Sequence, residues 1–281
     1  VRFVTVIFIN SFIILALAGT ISYYNIRVTN EKNFQDVIQS ELENIYSYFQ
    51  VGYDNLSYVT KQFAYANSQL TEGTIENDLK IYINHIDGKT DLNSDEEVYN
   101  FMAVYDRLSK NVSYYTSLTP SIGYTIFYRS GSSSQVLYSN KPLGQKDFES
   151  GAQAALYTIG NMSANGIHKS AGGGNYHVIS AIRKMDLRGM DDIYVYVETS
   201  NQWLKEVFVE KKFGMNTLYI MTDPKNNIVY SGNPTDFPIG DTLAPPSSGS
   251  SLFSYKGYYL FHSKKPGWNI IEAVRKSDYD R

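Results

Sequence analysis

The side chains in this sequence that are best suited to binding a ligand are aromatic and charged residues on its predicted β-strands. We predict a ligand-binding set of Tyr124, Tyr128, Arg129, Tyr176, Arg183, Tyr196 and Glu198. Aromatic rings with one or two charged groups are what a pocket for a sugar, an amine or a carboxylate needs. Because side chains alternate across a strand, only about half of such a cluster can point to one side. Ordinary packing of strand aromatics is the alternative for each residue taken singly.

The spacings that catalytic and metal sites require are missing. The histidines are His85, His168, His177 and His262. They form no i, i+4 pair, and no cysteine is present to complete a zinc site. No Gly-x-Ser-x-Gly motif occurs, and the glycines at 172–174 lack the following Lys-Ser/Thr of a phosphate-binding loop. We therefore predict no catalytic residues, no metal and no cofactor, and no enzyme activity for this chain.

Composition excludes one further class of protein. The 281 residues are 43% hydrophobic, which is enough to bury a core, and their formal net charge is −3. A nucleic-acid partner would need a basic face, and a mildly acidic chain does not indicate one. We therefore expect no nucleic-acid binding.

An apolar run at the N-terminus predicts a membrane anchor. Residues 3–21 read FVTVIFINSFIILALAGTI, without a charged side chain, and about 20 mainly apolar residues cross the hydrocarbon core. Arg2 precedes the run, and Tyr23 and Tyr24 follow it at interfacial depth, which predicts a cytoplasmic N-terminus in the cell membrane. A signal peptide cleaved near residues 16–18 is the alternative. Either segment exports the rest of the chain.

The elements that must hold the predicted site follow this segment. Apolar residues at steps of three and four predict a long helix to about Asn67. Shorter helices are predicted over 75–86 and from a Ser94–Glu97 capping box to 108. From 122 the pattern becomes that of strands, in two groups separated by a helix through Trp203, while residues 148–159 are predicted to be weakly helical. Helices followed by two groups of antiparallel strands predict an α+β fold with two sheets.

Three stretches of the sequence resemble the double-Cache sensor domain of bacterial receptors. Residues 193–208 (IYVYVETSNQWLKEVF) resemble the last strand of the membrane-distal module and its following helix. Residues 218–232 (LYIMTDPKNNIVYSG) resemble the opening hairpin of the membrane-proximal module, and residues 267–278 (GWNIIEAVRKSD) its final strand. The resemblance covers residues 22–281. It implies a transmembrane anchor at 1–24, a long stalk helix at 25–67, and two PAS-like antiparallel-sheet modules, distal at 68–209 and proximal at 210–281.

Within this group the sequence is most similar to the outer halves of sensor histidine kinases of Gram-positive bacteria, often associated with carbohydrate uptake. That resemblance implies an extracytoplasmic region that binds a small solute, sugar-like or other, in its distal module. A conformational shift would then pass across the membrane, in a homodimer. Chemoreceptors and diguanylate cyclases carry the same sensor type and are alternatives, as is a module that docks an extracellular solute-binding protein.

Glu198 is the sharpest single prediction that the resemblance supports. Amino-acid-binding members of the group have, near this position, an aspartate that holds the amine of the ligand. This sequence has a glutamate there and lacks their Arg-Trp-Tyr motif, so we do not expect a free amino acid as its ligand. A strand-end glutamate that caps the next helix is the alternative role.

Overall fold

The computed structural model describes residues 2–65, 75–89, 94–119, 121–130, 134–143, 155–159, 162–172, 177–187, 189–190, 192–200, 203–208, 211–212, 215–243, 251–262 and 269–279. Helices come first, followed by two groups of strands with a short helix between them. This order confirms the predicted α+β fold.

The N-terminal helix is longer than either of the two segments predicted for it. Helix α1 (Arg2–Tyr65) runs for 64 residues, so the predicted anchor and stalk form one continuous helix. At 1.5 Å per residue its length is about 96 Å. Helices α2 (Ile75–Ile86) and α3 (Asp95–Ser117) follow. At the start of α3 the Ser94 hydroxyl accepts a hydrogen bond from the Glu97 N–H, and the Glu97 carboxylate accepts one from the Ser94 N–H, which confirms the capping box.

The first group of strands forms one sheet, which we call the distal sheet after the module that the resemblance implies. Its strands are β1 (Ile122–Arg129), β2 (Gln135–Ser139), β3 (Ala155–Ile159), β4 (Met162–Lys169), β5 (His177–Lys184) and β6 (Ile193–Thr199). They pair antiparallel in the order β2-β1-β6-β5-β4-β3. The helical prediction for residues 148–159 is wrong for Ala155–Ile159, because these residues pair with β4 as a strand; residues 148–154 lie outside the described ranges.

The second group forms another sheet, which we call the proximal sheet for the same reason. Helix α4 (Trp203–Val207) leads into it, and helix α5 (Lys276–Tyr279) follows it. Its strands are β7 (Lys211–Lys212), β8 (Met215–Thr222), β9 (Ile228–Ser231), β10 (Leu252–Tyr255), β11 (Tyr258–His262) and β12 (Asn269–Arg275). The order is β10-β11-β12-β8-β7, with β9 also paired to β8.

Helix α1 packs on both sheets through the predicted apolar stripe. Near its middle, the ring of Phe34 lies 5.9 Å from that of Phe261 in the proximal sheet. Farther along, Phe49 lies 5.1 Å from Trp203 in α4, and near the C-terminal end Phe63 lies 5.5 Å from Phe127 in the distal sheet. One buried core therefore runs along α1 beneath both sheets.

The N-terminal part of α1 makes no such core contact. Side chains from residue 9 to residue 30 are exposed, and they include Phe12, Ile14 and Leu15, each at least 66% exposed. Within the described part of the chain, α1 is the one helix that is long and apolar enough to cross a membrane. The helix thus carries an uncovered apolar segment that continues directly into the packed stalk.

Candidate functional site

Side-chain alternation divides the distal sheet into two faces with different surroundings. On β6, Val195 and Val197 belong to the core against α1, while Tyr196 belongs to a separate cluster on the other side. On β1, Phe127 packs toward α1 whereas Ile126 and Tyr128 lie opposite. We call the side away from α1 the outer face of the distal sheet.

The outer face brings together four of the residues predicted as a ligand-binding set. Tyr124, Tyr128 and Tyr196 belong to or border its apolar cluster, and Glu198 follows Tyr196 at the same side of β6, bonded to its hydroxyl. Tyr128 stacks on Tyr194 with ring centroids 5.5 Å apart. These residues combine an aromatic floor with one carboxylate.

The two predicted arginines do not join them. Arg129 lies on the α1 side of β1 and donates to both carboxylate oxygens of Asp87, at 3.0 and 2.9 Å. Arg183 lies on the α1 side of β5, where its Nε donates to the Thr60 hydroxyl at 3.3 Å. Side chains alternate along a strand, and at both positions the side chain points toward α1. Tyr176, the remaining predicted residue, lies outside the described residues.

Glu198 is a buried carboxylate that ties a neighbouring loop to the sheet. Its side chain is 1% exposed and accepts hydrogen bonds from the Ser170 hydroxyl, from the Ala171 N–H at 2.9 Å and from the Tyr196 hydroxyl at 2.6 Å. Burial raises the pKa of Glu198, and these three donors lower it in part. Burial and the nearby carboxylate raise the pKa of Tyr196 well above its ordinary value. None of these bonds reaches α4, so the helix-capping alternative has no support in this geometry.

The loop held by Glu198 lies against Tyr124. The Ser170 oxygen also accepts the Gly172 N–H at 3.1 Å. A Cβ added at Gly172 would lie 2.4 Å from the ring of Tyr124, so a larger residue at 172 would displace the ring or the backbone from this contact. Lys141 lies 5.3 Å from the centroid of that ring, and its charge also lowers the pKa of Glu198. The Glu198 carboxylate is therefore bordered by the hydroxyl and backbone of this segment, which in turn contacts the ring of Tyr124.

Sequence reasoning missed three polar residues on the same face. Asn165 of β4 pairs with Ser180 of β5, which pairs with Glu198 of β6, so the three form one row across the sheet. The Asn165 amide donates to the Ser180 hydroxyl at 2.8 Å, and His168 Nε2 lies 2.7 Å from the same oxygen. Burial lowers the pKa of His168 to about 4, which keeps its ring neutral at physiological pH. Without a prediction for β4, no sequence signal assigned Asn165 or His168 to a face.

This constellation is suited to binding a small solute. It offers a buried carboxylate, hydroxyls and an amide beside aromatic rings, which are the orienting groups and apolar walls of small-molecule sites. Across the described residues, no group of three His, Cys, Asp or Glu side chains lies close enough to hold a metal ion.

Solved structures share this fold at low sequence identity. The sensor domain of the V. cholerae histidine kinase DctB superposes with a TM-score of 0.52 at 10% identity, covering 87% of this chain and 98% of that one. An extracellular domain assigned to a histidine kinase, vpHK1S-Z8, gives 0.52 at 11%, covering 90% and 99%. The periplasmic sensory domain of the Campylobacter jejuni chemoreceptor Tlp1 gives 0.50 at 11%, covering 89% and 98%. No protein-family model matches the sequence, and no curated protein is a significant match. The chain therefore has the fold of extracytoplasmic sensor domains, as the double-Cache resemblance predicted.

Proposed function

We propose that this chain is the extracytoplasmic sensing region of a membrane-anchored signalling receptor. It binds a small solute on the outer face of the distal sheet and transmits a shift along α1. The observation that carries the proposal is Glu198, a carboxylate buried at 1% exposure among hydroxyls and aromatic rings. Removing a carboxylate from water is costly, and such groups are concentrated at functional sites. The ligand-contacting residues in this proposal are Tyr124, Tyr128, Tyr196 and Glu198.

The continuity of α1 supports the membrane part of the proposal. The helix extends from the exposed apolar segment into the stalk, where Tyr53 and Phe63 contact the distal sheet. The anchor is assigned to residues 1–24, the stalk to 25–67, the distal module to 68–209 and the proximal module to 210–281. A ligand that favours one arrangement of the distal sheet and α1 would shift the population of the whole helix. Sensor domains of this fold occur in histidine kinases and in a chemoreceptor, so the proposal does not extend to the output domain.

Binding is tested with the full 281-residue chain in lipid nanodiscs. Its melting temperature is measured against sugars, polyols, organic acids, amines and amino acids, because a ligand that binds the native state raises stability by mass action. We expect one chemical class to raise the melting temperature. Glu198→Gln should abolish that rise, whereas Glu43→Gln, an exposed position on α1, should preserve it. A rise that is equal in both variants would refute the site.

One observation favours a second candidate, docking of a solute-binding protein. Helix α3 exposes Val98, Tyr99, Met102 and Tyr105, which is unusual for apolar side chains on one surface helix. If no small solute stabilises the chain and a loaded solute-binding protein does, this candidate replaces the first. Met102→Ser would then weaken binding, and Glu198→Gln would leave it unchanged.

A further inference from the structure

A buried hydrogen-bond acceptor on the outer face has no partner within the described residues. Asn165 is 0% exposed, and its Oδ1 atom receives no hydrogen bond there. Buried polar atoms without a partner are few in folded proteins, and each one calls for a physical or functional explanation. Asn165 stands at the end of the polar row whose other end is Glu198.

The neighbouring hydrogen bonds determine which end of the Asn165 amide is free. His168 Nδ1 lies 2.6 Å from the carbonyl oxygen of Lys169, and because a carbonyl can only accept, Nδ1 carries the ring proton. In a neutral imidazole the other nitrogen is then an acceptor. The Ser180 hydroxyl, 2.7 Å away, must donate its single proton to His168 Nε2.

Ser180 can therefore only accept from Asn165. That requirement orients the NH₂ group of the amide toward Ser180, at 2.8 Å, and leaves Oδ1 as the atom of the amide that accepts no hydrogen bond within the described residues. Burial of His168, which keeps its ring neutral, supports this assignment. Ser180 also lies close to the Tyr196 hydroxyl, whose own proton is donated to Glu198. The free group at this end of the row is an acceptor and not a donor.

We infer that Asn165 Oδ1 accepts a hydrogen bond from the ligand, so that the site selects solutes carrying N–H or O–H donors. The inference rests on the proposed function and names the ligand chemistry of the same site. Two strand spacings separate the Asn165 and Glu198 positions, which is roughly 10 Å. A small polyol or primary amine can span part of this row. Its donors would meet acceptors at both ends of the row, the Asn165 amide oxygen and the Glu198 carboxylate.

The test compares probes that differ in their donors, using the full chain in nanodiscs and calorimetric titration. The pairs are ethanolamine and its N- and O-methylated analogue (2-methoxyethyl)trimethylammonium, 1,4-diaminobutane and its fully N-methylated bis-quaternary ion, and xylitol and its penta-O-methyl ether. Each amine pair keeps the charge and removes every N–H. We expect a donor-bearing member to bind, and its methylated partner to bind at least roughly tenfold more weakly, the loss expected when a buried acceptor stays unpaired.

Variants separate hydrogen bonding from the added bulk of the methyl groups. Asn165→Leu should remove the preference for donors, whereas Asn100→Leu, on the exposed side of α3, should retain it. Ser180→Ala frees the amide to rotate, so the preference should shrink there too, and this variant decides the question if Asn165→Leu does not fold.

Three outcomes would overturn the inference. The first is equal binding of methylated and unmethylated probes to the wild-type chain, and the second is a preference for donors that survives in both Asn165→Leu and Ser180→Ala. In either case the proposed function still stands if binding is lost in Glu198→Gln. If no probe and no solute of the wider panel binds, the proposed small-solute function fails together with the inference.

Discussion

The hydroxyl of Tyr53 on α1 donates a 2.9 Å hydrogen bond to the backbone carbonyl of Asn165, whose side chain lies on the outer face of the distal sheet. A single residue of β4 therefore contacts the long helix through its backbone and the polar row through its amide. A displacement of the Asn165 backbone would change the geometry of the hydrogen bond from Tyr53. In the proposed function, this contact would link a solute bound at the outer face to the helix.

Tyr53→Phe tests that contact. The change removes the donor and leaves a buried carbonyl without its partner. We therefore expect the free energy of unfolding to fall by about 1–3 kcal/mol. Solute affinity at the outer face should change little, while its effect on the helix should weaken. Chemical denaturation of the nanodisc-embedded chain measures the first effect. Tyr58→Phe, on the exposed side of α1, is the matched control and should be neutral; equal losses in both variants would contradict the assignment.

Gly172→Ala tests the close approach of the 170–172 segment to Tyr124. A methyl group at 172 would overlap the ring, so either the ring or the segment must shift, at an expected cost of about 1–3 kcal/mol. The solute-induced rise in melting temperature should fall as well. Adding Tyr124→Ala should restore part of the stability, because the obstructing ring is gone, and this coupling is read from a double-mutant cycle. Gly232→Ala, where a Cβ meets atoms at 3.4 Å or more, should be tolerated. Strictly additive losses at 172 and 124 would refute the contact.

The half-buried imidazole of His168 predicts a dependence of stability on pH. Its pKa falls from an ordinary 6.5 to about 4 on folding, so between these values the unfolded chain binds more protons than the folded one. Stability from this group is present above pH 6.5 and is lost as the pH falls toward 4. At about 1.4 kcal/mol for each pKa unit, the loss approaches about 3 kcal/mol.

Replacement of His168 should flatten that dependence. Unfolding free energies of wild type, His168→Gln and the control His85→Gln are measured from pH 7 to pH 4. The slope should shrink only in His168→Gln. Glu198 works in the opposite direction, because its raised pKa gives stability that is present at low pH and declines as the pH rises through the folded value. For this reason the difference between variants is diagnostic, and the absolute slope is not. An unchanged slope in His168→Gln would show that the ring is not buried as described.

The apolar stripe of α1 was predictable because its period is local. Phe49 and Phe63 fall on a spacing that a helix alone imposes, and both pack where the stripe places them. The faces of the distal strands were not predictable in the same way. Alternation shows which residues of a strand share a side, but it does not show which side a helix covers. Arg129 and Arg183 could therefore be assigned to a side only once α1 was known to cover the sheet.

Strand β4 escaped prediction for a different physical reason. Its sequence, Met162 to Lys169, contains Gly166 and small polar residues, so the alternation typical of a strand is weak. The pairing with β5 also shifts register between Asn165 and His168, which breaks the period of two. This strand is specified by long-range pairing with its neighbours, and so the acceptor at Asn165 could not be found from local pattern.

The orientation of the chain in the membrane gives the last prediction. The chain contains no cysteine, so a single introduced thiol is a unique label. Lys225 is exposed at a turn after β8, far in sequence from the apolar segment. If residues 25–281 are extracytoplasmic, Lys225→Cys should react in intact cells with a maleimide that cannot cross membranes. A cysteine placed before the apolar run, at Val1, should react only after the cells are opened. Because one arginine is the sole charge that predicts this orientation, the reverse labelling pattern would overturn the extracytoplasmic assignment while leaving the fold intact.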